Sequence, residues 1–258
     1  VTPDILSARD GGIATVTLFN PERLNALNAA MWRRLAEIFA ALDADDSLRC
    51  IVVRGEGAAF AAGGDLVEMQ TARADVDGAL TYHAQVGAAL DAIAACRHPV
   101  IAAILGPCVG GGLEIACACD LRIAGESARF GAPINRLGFS MYPGELAGLL
   151  QVAGPAVVKE ILLEGRLLTA REALEKGLLT RVVADDEVPA ETAATVERIA
   201  AGAPLVARWH KQWIARLCNG APLTTEEKRA SFAFLESADH REGMAAFREK
   251  RPPRFTGQ

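Results

Sequence analysis

With 258 residues, 51% of them hydrophobic and 23% charged, the chain has enough apolar material for one large globular core, or a core with a smaller appendage, and its composition excludes a disordered protein. A formal net charge of -5 provides no broad basic surface, so neither nucleic acid nor an anionic membrane is the expected partner. Six cysteines, at 50, 96, 108, 117, 119 and 218, fall mostly in apolar runs and show neither a CxxC pair nor zinc-ligand spacing, so they read as reduced core residues and no metal is expected. The first ten residues, VTPDILSARD, lack a basic segment followed by an apolar one; together with the cysteines this predicts a cytoplasmic protein.

In chain order, Ile13 to Phe19 alternates as a strand does and is ended by Asn20-Pro21. Leu27, Met31, Leu35, Ile38, Phe39 and Leu42 recur at helical spacing and predict an amphipathic helix over 25–42. A short buried strand over 50–53 runs directly into the glycine-rich segment RGEGAAFAAGGDL. Residues 71–95 read as a helix with Tyr82, Val86, Leu90 and Ile93 on one side. The aliphatic run 100–105, bounded by Pro99 and Gly106-Pro107, suits a strand buried on both faces. Gly110, Gly111 and Gly112 follow, then a helix over 113–119, a strand over 121–123 and an irregular or extended piece over 128–133.

From Glu145 the signals are mostly helical, including 155–163, ended by Gly165. Thr169 and Glu172 have capping-box spacing with Gly177 as the stop, and 179–183 is a late strand. Helices are predicted over 189–201, 204–218, 224–236 and 239–247, with a second capping box at Thr224 and Glu227. Strands alternating with helices followed by helices alone indicate an α/β core over residues 1–183 and a helical region over 184–258. The apolar stretch 99–119 is interrupted by Gly106-Pro107, the glycine triplet and Glu114, short of the roughly 20 clean residues of a membrane span. His83, His98, His210 and His240 are dispersed without partners at motif spacing and read as surface or satisfied histidines.

The triplet is the most informative local feature. Three glycines at a strand-to-helix turn allow close approach by another backbone or a ligand, and amides at a helix N-terminus lack intrahelical partners, so an oxyanion can be held there. Glu114, in the apolar run just beyond, reads either as a general acid/base or as a first-turn carboxylate complementing the helix dipole.

Five segments in register, NPERLNALN (20–28), GAAFAAGGDL (57–66), GPCVGGGLEIACACDLRIAGESARFGAP (106–133), EILLEGRLLTAREALEKGLLTRVV (160–183) and EGMAAFREKRPPRF (242–255), resemble the crotonase, or enoyl-CoA hydratase/isomerase, superfamily. The resemblance implies a crotonase-like spiral of ββα units with a helical C-terminal trimerisation region, assembled as a homotrimer or a hexamer made of two trimers. It implies an acyl-CoA thioester substrate, with coenzyme A as part of that substrate and no permanently bound cofactor. It assigns the backbone amides of Gly64 and Gly111 to the thioester oxygen, and Glu114 to acid/base work. Arg23, Asn25, Ala26, Leu27, Ala62, Asp65, Leu66 and Ile134 match substrate- and CoA-side positions, and Phe247, Lys250 and Arg251 match a terminal segment that reaches the phosphates. Arg23 also reads as a solvated loop charge and Phe247 as helix packing. Ala58 stands where related sequences often carry a basic residue.

Hydratases of this family use a second glutamate twenty residues after the first; that position is Ile134 here. Glu145 is the nearest replacement along the chain, and Tyr142 falls where many relatives have glycine and some a carboxylate. Each has an ordinary reading too, Glu145 as a first-turn helix charge and Tyr142 as a pocket wall. The expectation is an enoyl-CoA hydratase-like enzyme, slow at adding water if Glu114 acts alone. Double-bond isomerisation, thioester hydrolysis and decarboxylation are the alternatives within the family, and a non-catalytic acyl-CoA-binding protein is the alternative of another class.

Overall fold

The computed structural model describes residues 2–218 and 220–258. Strand β1 (Asp4–Asp10) and strand β2 (Ile13–Phe19) form a hairpin, and α1 (Ala29–Asp43) crosses to β3 (Cys50–Gly55). Helices α2 (Leu66–Ala72) and α3 (Val76–Ala95) lead to β4 (Val100–Ile104), which passes through Gly106 into β5 (Pro107–Val109) and α4 (Gly111–Ala118). The next turn repeats the pattern with β6 (Leu121–Gly125), β7 (Arg129–Gly131) and α5 (Leu146–Glu164). Strand β8 (Leu168–Thr169), α6 (Ala170–Glu175) and β9 (Arg181–Val183) complete the α/β part. Four helices follow: α7 (Val188–Ala200), α8 (Pro204–Cys218), α9 (Thr225–Ala230) and α10 (Ala238–Glu249).

Strands β1 to β3 all enter a six-stranded sheet, ordered β1-β2-β3-β4-β6-β9, after which β4 and β6 join that sheet while β5 and β7, each the next strand in the chain, join a three-stranded sheet ordered β5-β7-β8. Both sheets are mixed: β1 is antiparallel to β2 and β8 to β7, whereas the remaining pairs are parallel. The main core lies between them, filled from α1 by Met31, Trp32, Leu35 and Phe39 and from α4 by Leu113, Ile115 and Ala116. The other face of the large sheet, at Cys50, Ile101 and Ile123, is covered by Val196 and Ile199 of α7. Strand β4 is thus buried on both faces, as its uninterrupted aliphatic sequence requires. Lys211 on α8 pins the helical region to the core, its ammonium 2.7 Å from the Asp120 carboxylate and 2.8 Å from the His98 carbonyl.

Several sequence expectations need correction. The first helix begins at Ala29, because Leu24 and Asn25 are left-handed (φ 49° and 58°) and Asn28 caps the helix by accepting from the Met31 amide. The helix expected over 71–95 is two helices, the second starting where Asp75 accepts from the Gly78 amide. The helix expected over 224–236 likewise divides into α9 and a 3-10 turn over Ala233–Glu236. The extended piece over 128–133 holds β7, whereas β1, β5 and β8 had no counterpart in the sequence reading. Cys218 is exposed, unlike the other five cysteines. The capping boxes at Thr169/Glu172 and Thr224/Glu227 are formed. The segment Pro143–Glu164 is long and apolar enough to cross a membrane by length and composition, but Gly154 (φ 71°, ψ 165°) followed by Pro155 breaks the helix well short of the ~20 continuous residues a span requires.

Candidate active site

The two glycine-rich turns meet. Ala61 forms a parallel bridge with Cys108, its amide donating to the Pro107 carbonyl at 2.9 Å and its carbonyl accepting from Val109 at 2.9 Å. The approach permits no side chain where α4 starts: a methyl on Gly112 would lie 2.6 Å from the Ala61 carbonyl oxygen. The loop over 20–28 is joined to the same place, with Leu27 donating to the Gly63 carbonyl at 2.8 Å and accepting from the Asp65 amide at 2.7 Å. Neither the Gly64 nor the Gly111 N–H donates to a turn or ladder carbonyl among the described residues. Gly111 is the first residue of α4, so its N–H has no intrahelical acceptor either.

Both glycines line a cavity of about 420 Å³ together with Trp32, Met69, Glu114, Ile134 and Glu145. Of the positions matched to substrate, Arg23, Ala26, Ala62, Asp65, Leu66 and Ile134 also line it. Asn25 and Leu27 do not. Asn25 is fully buried; its side-chain amide donates to the Glu56 and Ala59 carbonyls at 2.9 and 2.8 Å and its side-chain oxygen accepts from the Asn20 amide at 3.0 Å. These bonds hold the loop in its left-handed turn, so the side chain builds the wall from behind. Leu27 is core, contributing only its backbone to the join. The Asp65 carboxylate caps α2 through the Val67 and Glu68 amides and pairs with Arg23 at 2.7 Å. Phe247, 82% exposed, and Lys250 at the C-terminus of α10 do not line this cavity.

Glu114 projects from the first turn of α4 and is 8% exposed. Burial pushes its carboxyl well above the usual carboxylate range, and a charge on Glu145 pushes it further. Glu145 ends the 3-10 turn over Pro143–Glu145 and is 7% exposed, its side chain turned into the cavity instead of standing as a solvated charge at the head of α5. Its Oε1 lies 2.5 Å from His83 Nδ1. Burial raises Glu145 as well, but the His83 hydrogen bond, the His83 charge and the Arg73 guanidinium oppose the rise. Tyr142 stacks on His83 with ring centroids 4.7 Å apart and planes 17° apart, and Tyr82 meets the same imidazole edge-on at 5.5 Å. Arg73 lies over the Phe139 ring, 4.2 Å from its centroid.

His83 is a satisfied histidine, as its sequence reading allows, hydrogen-bonded to Glu145, and it also lines the cavity. No local signal marks it, because its partner is 62 residues away. Tyr142 stands at the cavity wall, as one of its two sequence readings held. The site thus combines two backbone donors, two buried carboxyl groups and largely apolar walls, a set suited to proton transfer beside a polarised carbonyl.

Comparison with known proteins agrees with this arrangement. The model of the enoyl-CoA hydratase/isomerase family matches residues 8–258. A probable enoyl-CoA hydratase of Mycobacterium tuberculosis is 36% identical over 254 residues, covering 98% of this chain and 97% of that protein. One from Rhizobium meliloti is 37% identical over 256 residues, covering 97% of each. Among solved structures, an enoyl-CoA hydratase/carnithine racemase from Magnetospirillum magneticum superposes with a TM-score of 0.97 at 52% identity, covering 98% of this chain and 96% of that one. A putative enoyl-CoA hydratase/isomerase family protein from Hyphomonas neptunium gives 0.94 at 37% identity, covering 98% of both chains. A match across nearly the whole length, in sequence and in fold, means that this chain belongs to the enoyl-CoA hydratase/isomerase, or crotonase, family.

Proposed function

We propose that the protein is an acyl-CoA-processing enzyme of the enoyl-CoA hydratase type, which stabilises a thioester enolate between the amides of Gly64 and Gly111. One observation carries this reading: two uncommitted backbone N–H groups, from turns bridged at Ala61 and Cys108, border the cavity that holds the buried Glu114. Negative charge developing on a thioester oxygen gains most from fixed donors in an apolar site, and the N-terminal end of α4 adds its dipole. Trp32, Met69 and Ile134 provide apolar walls around those donors. Glu114, whose carboxyl burial shifts toward the protonated form, is the group we assign as proton donor to the α-carbon.

The substrate side follows from the same cavity. Arg23, Ala26, Ala62 and Leu66 form the wall along which we place the pantetheine and nucleotide of CoA. Phe247 and Lys250 line no part of that wall, and we assign them to the CoA site of a neighbouring copy of the chain. Ile214, Leu217, Phe232, Leu235 and Met244, all more than half exposed on or between the C-terminal helices, support assembly through that region as a trimer or hexamer. Light scattering checks the assembly, and a stable monomer at working concentration contradicts it.

The experiment for the activity is a panel of enoyl-CoA thioesters followed for hydration, isomerisation and hydrolysis, with Glu114→Gln as control. Turnover lost in that variant supports the reading. Saturable acyl-CoA binding without any turnover would make the protein a binder.

A further inference from the structure

Taking the enoyl-CoA hydratase reading as its basis, we infer that Glu145 is the second acid/base group of this site, standing in for the carboxylate absent at Ile134, and that His83 is the positioning residue that holds it there. The geometry points to both roles. Glu145 and His83 are joined at 2.5 Å, and both line the same cavity as Glu114 and the two glycine turns. The imidazole is itself fixed, stacked on Tyr142 and met edge-on by Tyr82. A carboxyl group clamped in this way has one orientation, which acid/base work in a confined site requires. A surface ion pair would need none of this packing.

The two carboxyl groups also have different surroundings. Glu114 is surrounded by apolar groups and by the charge of Glu145, both of which favour its neutral form. Burial raises Glu145 as well, but the His83 hydrogen bond and charge and the Arg73 guanidinium oppose that rise, and Glu114 has no such partners. Two carboxyl groups whose environments differ in this sense divide into an acid and a base. In water addition the ionised Glu145 takes one proton from water as the O–H bond breaks, and the oxygen forms its bond to C3 of the enoyl group. The C2–C3 π pair moves to C2 and the thioester oxygen, held by Gly64 and Gly111. Glu114 then gives its proton to C2, which restores the carbonyl. The product has gained one water; Glu145 is left protonated and Glu114 ionised, and proton transfer from one to the other through solvent resets the pair.

The test uses the full chain and crotonyl-CoA, with kcat and KM measured across pH for the wild type, Glu114→Gln, Glu145→Gln and His83→Gln, and with circular dichroism to establish that each is folded. Expected is a loss of about 10²–10⁴-fold in kcat for each glutamate variant, with KM changed only a few-fold. For His83→Gln the expected loss is smaller, roughly tenfold, with the acidic limb of the kcat profile moved to higher pH, because Glu145 loses the His83 interactions that oppose its upward shift. A ¹³C titration of labelled glutamate carboxyls reads the same change without turnover: the Glu145 midpoint rises in His83→Gln. An active Glu145→Gln beside an inactive Glu114→Gln, or an unmoved limb and midpoint in His83→Gln, overturns this proposal and leaves the hydratase reading standing. A wild type that turns over no member of the enoyl-CoA panel overturns both.

Discussion

His83 Nδ1 and Glu145 Oε1 lie 2.5 Å apart inside the cavity that also holds Glu114, so the helix α3 and the turn before α5 are tied together at the site. The pairing makes that wall a built part of the site, and it means that Glu114 is not the only buried carboxyl group available for proton transfer.

Ile134→Glu tests what the missing family carboxylate is worth. Ile134 lines the cavity, so a glutamate there adds a third carboxyl group to the same space. Expected is partial recovery of crotonyl-CoA hydration in a Glu145→Gln background, by about tenfold or more, and a smaller effect in the wild type, where like charges crowd. Steady-state hydration by the four combinations reads this directly. Equal gains in both backgrounds would mean that Glu145 and position 134 do not serve the same step.

Glu114 also makes stability depend on pH. Its carboxyl is held well above its ordinary value of 4.5 by burial and by Glu145, so the folded state favours the protonated form. That contribution is fully present below pH ~4.5 and is lost as pH rises toward the folded value. Glu114→Gln should therefore melt a few degrees above the wild type at pH 7 to 8, with the gap closing toward pH 4.5. His98, whose pKa is lowered by burial and by Arg208 and Arg97, acts in the opposite sense, losing stability as pH falls through 6.5. Comparing the two proteins at equal pH cancels it. Thermal melts across pH check the difference, and a constant gap contradicts it.

Asn25→Ala is expected to destabilise the fold by roughly 2–4 kcal/mol, since two buried hydrogen bonds and one part-buried one lose their side-chain partner and a left-handed residue loses the asparagine that suits it. Urea unfolding measures this. If Asn25 instead contacted CoA, stability would hardly change and KM would rise.

How much of this was legible in the sequence follows from how local each signal is. The glycine turns, the twice-buried strand β4 and both capping boxes depend on neighbours within a few residues, and they were readable. Strands β5 and β7, three residues each, are too short for alternation to show. The break in the helix expected over 71–95 had its signal, Asp75 three residues before Gly78, but the apolar spacing on either side masked it. Asn25 and Leu27 resemble ligand-side positions of the family segment, whereas the fold uses the first behind the wall and the second in the core. His83 was invisible because only the tertiary fold brings α3 to Glu145.

The oxyanion assignment is tested most directly by Gly111→Pro compared with Gly111→Ala. Proline is tolerated at the first position of a helix and removes the N–H; alanine keeps the N–H while adding the same Cβ, which meets Trp32 Cζ2 at 2.8 Å in either variant. Alanine therefore controls for the Cβ contact with Trp32, and circular dichroism of both variants checks that the proline ring leaves the fold intact. With crotonyl-CoA in D₂O, followed by NMR for deuterium entering at C2, Gly111→Pro should fall about 10²–10³-fold below Gly111→Ala in kcat. Two folded variants with equal rates would contradict an enolate held by the Gly111 amide.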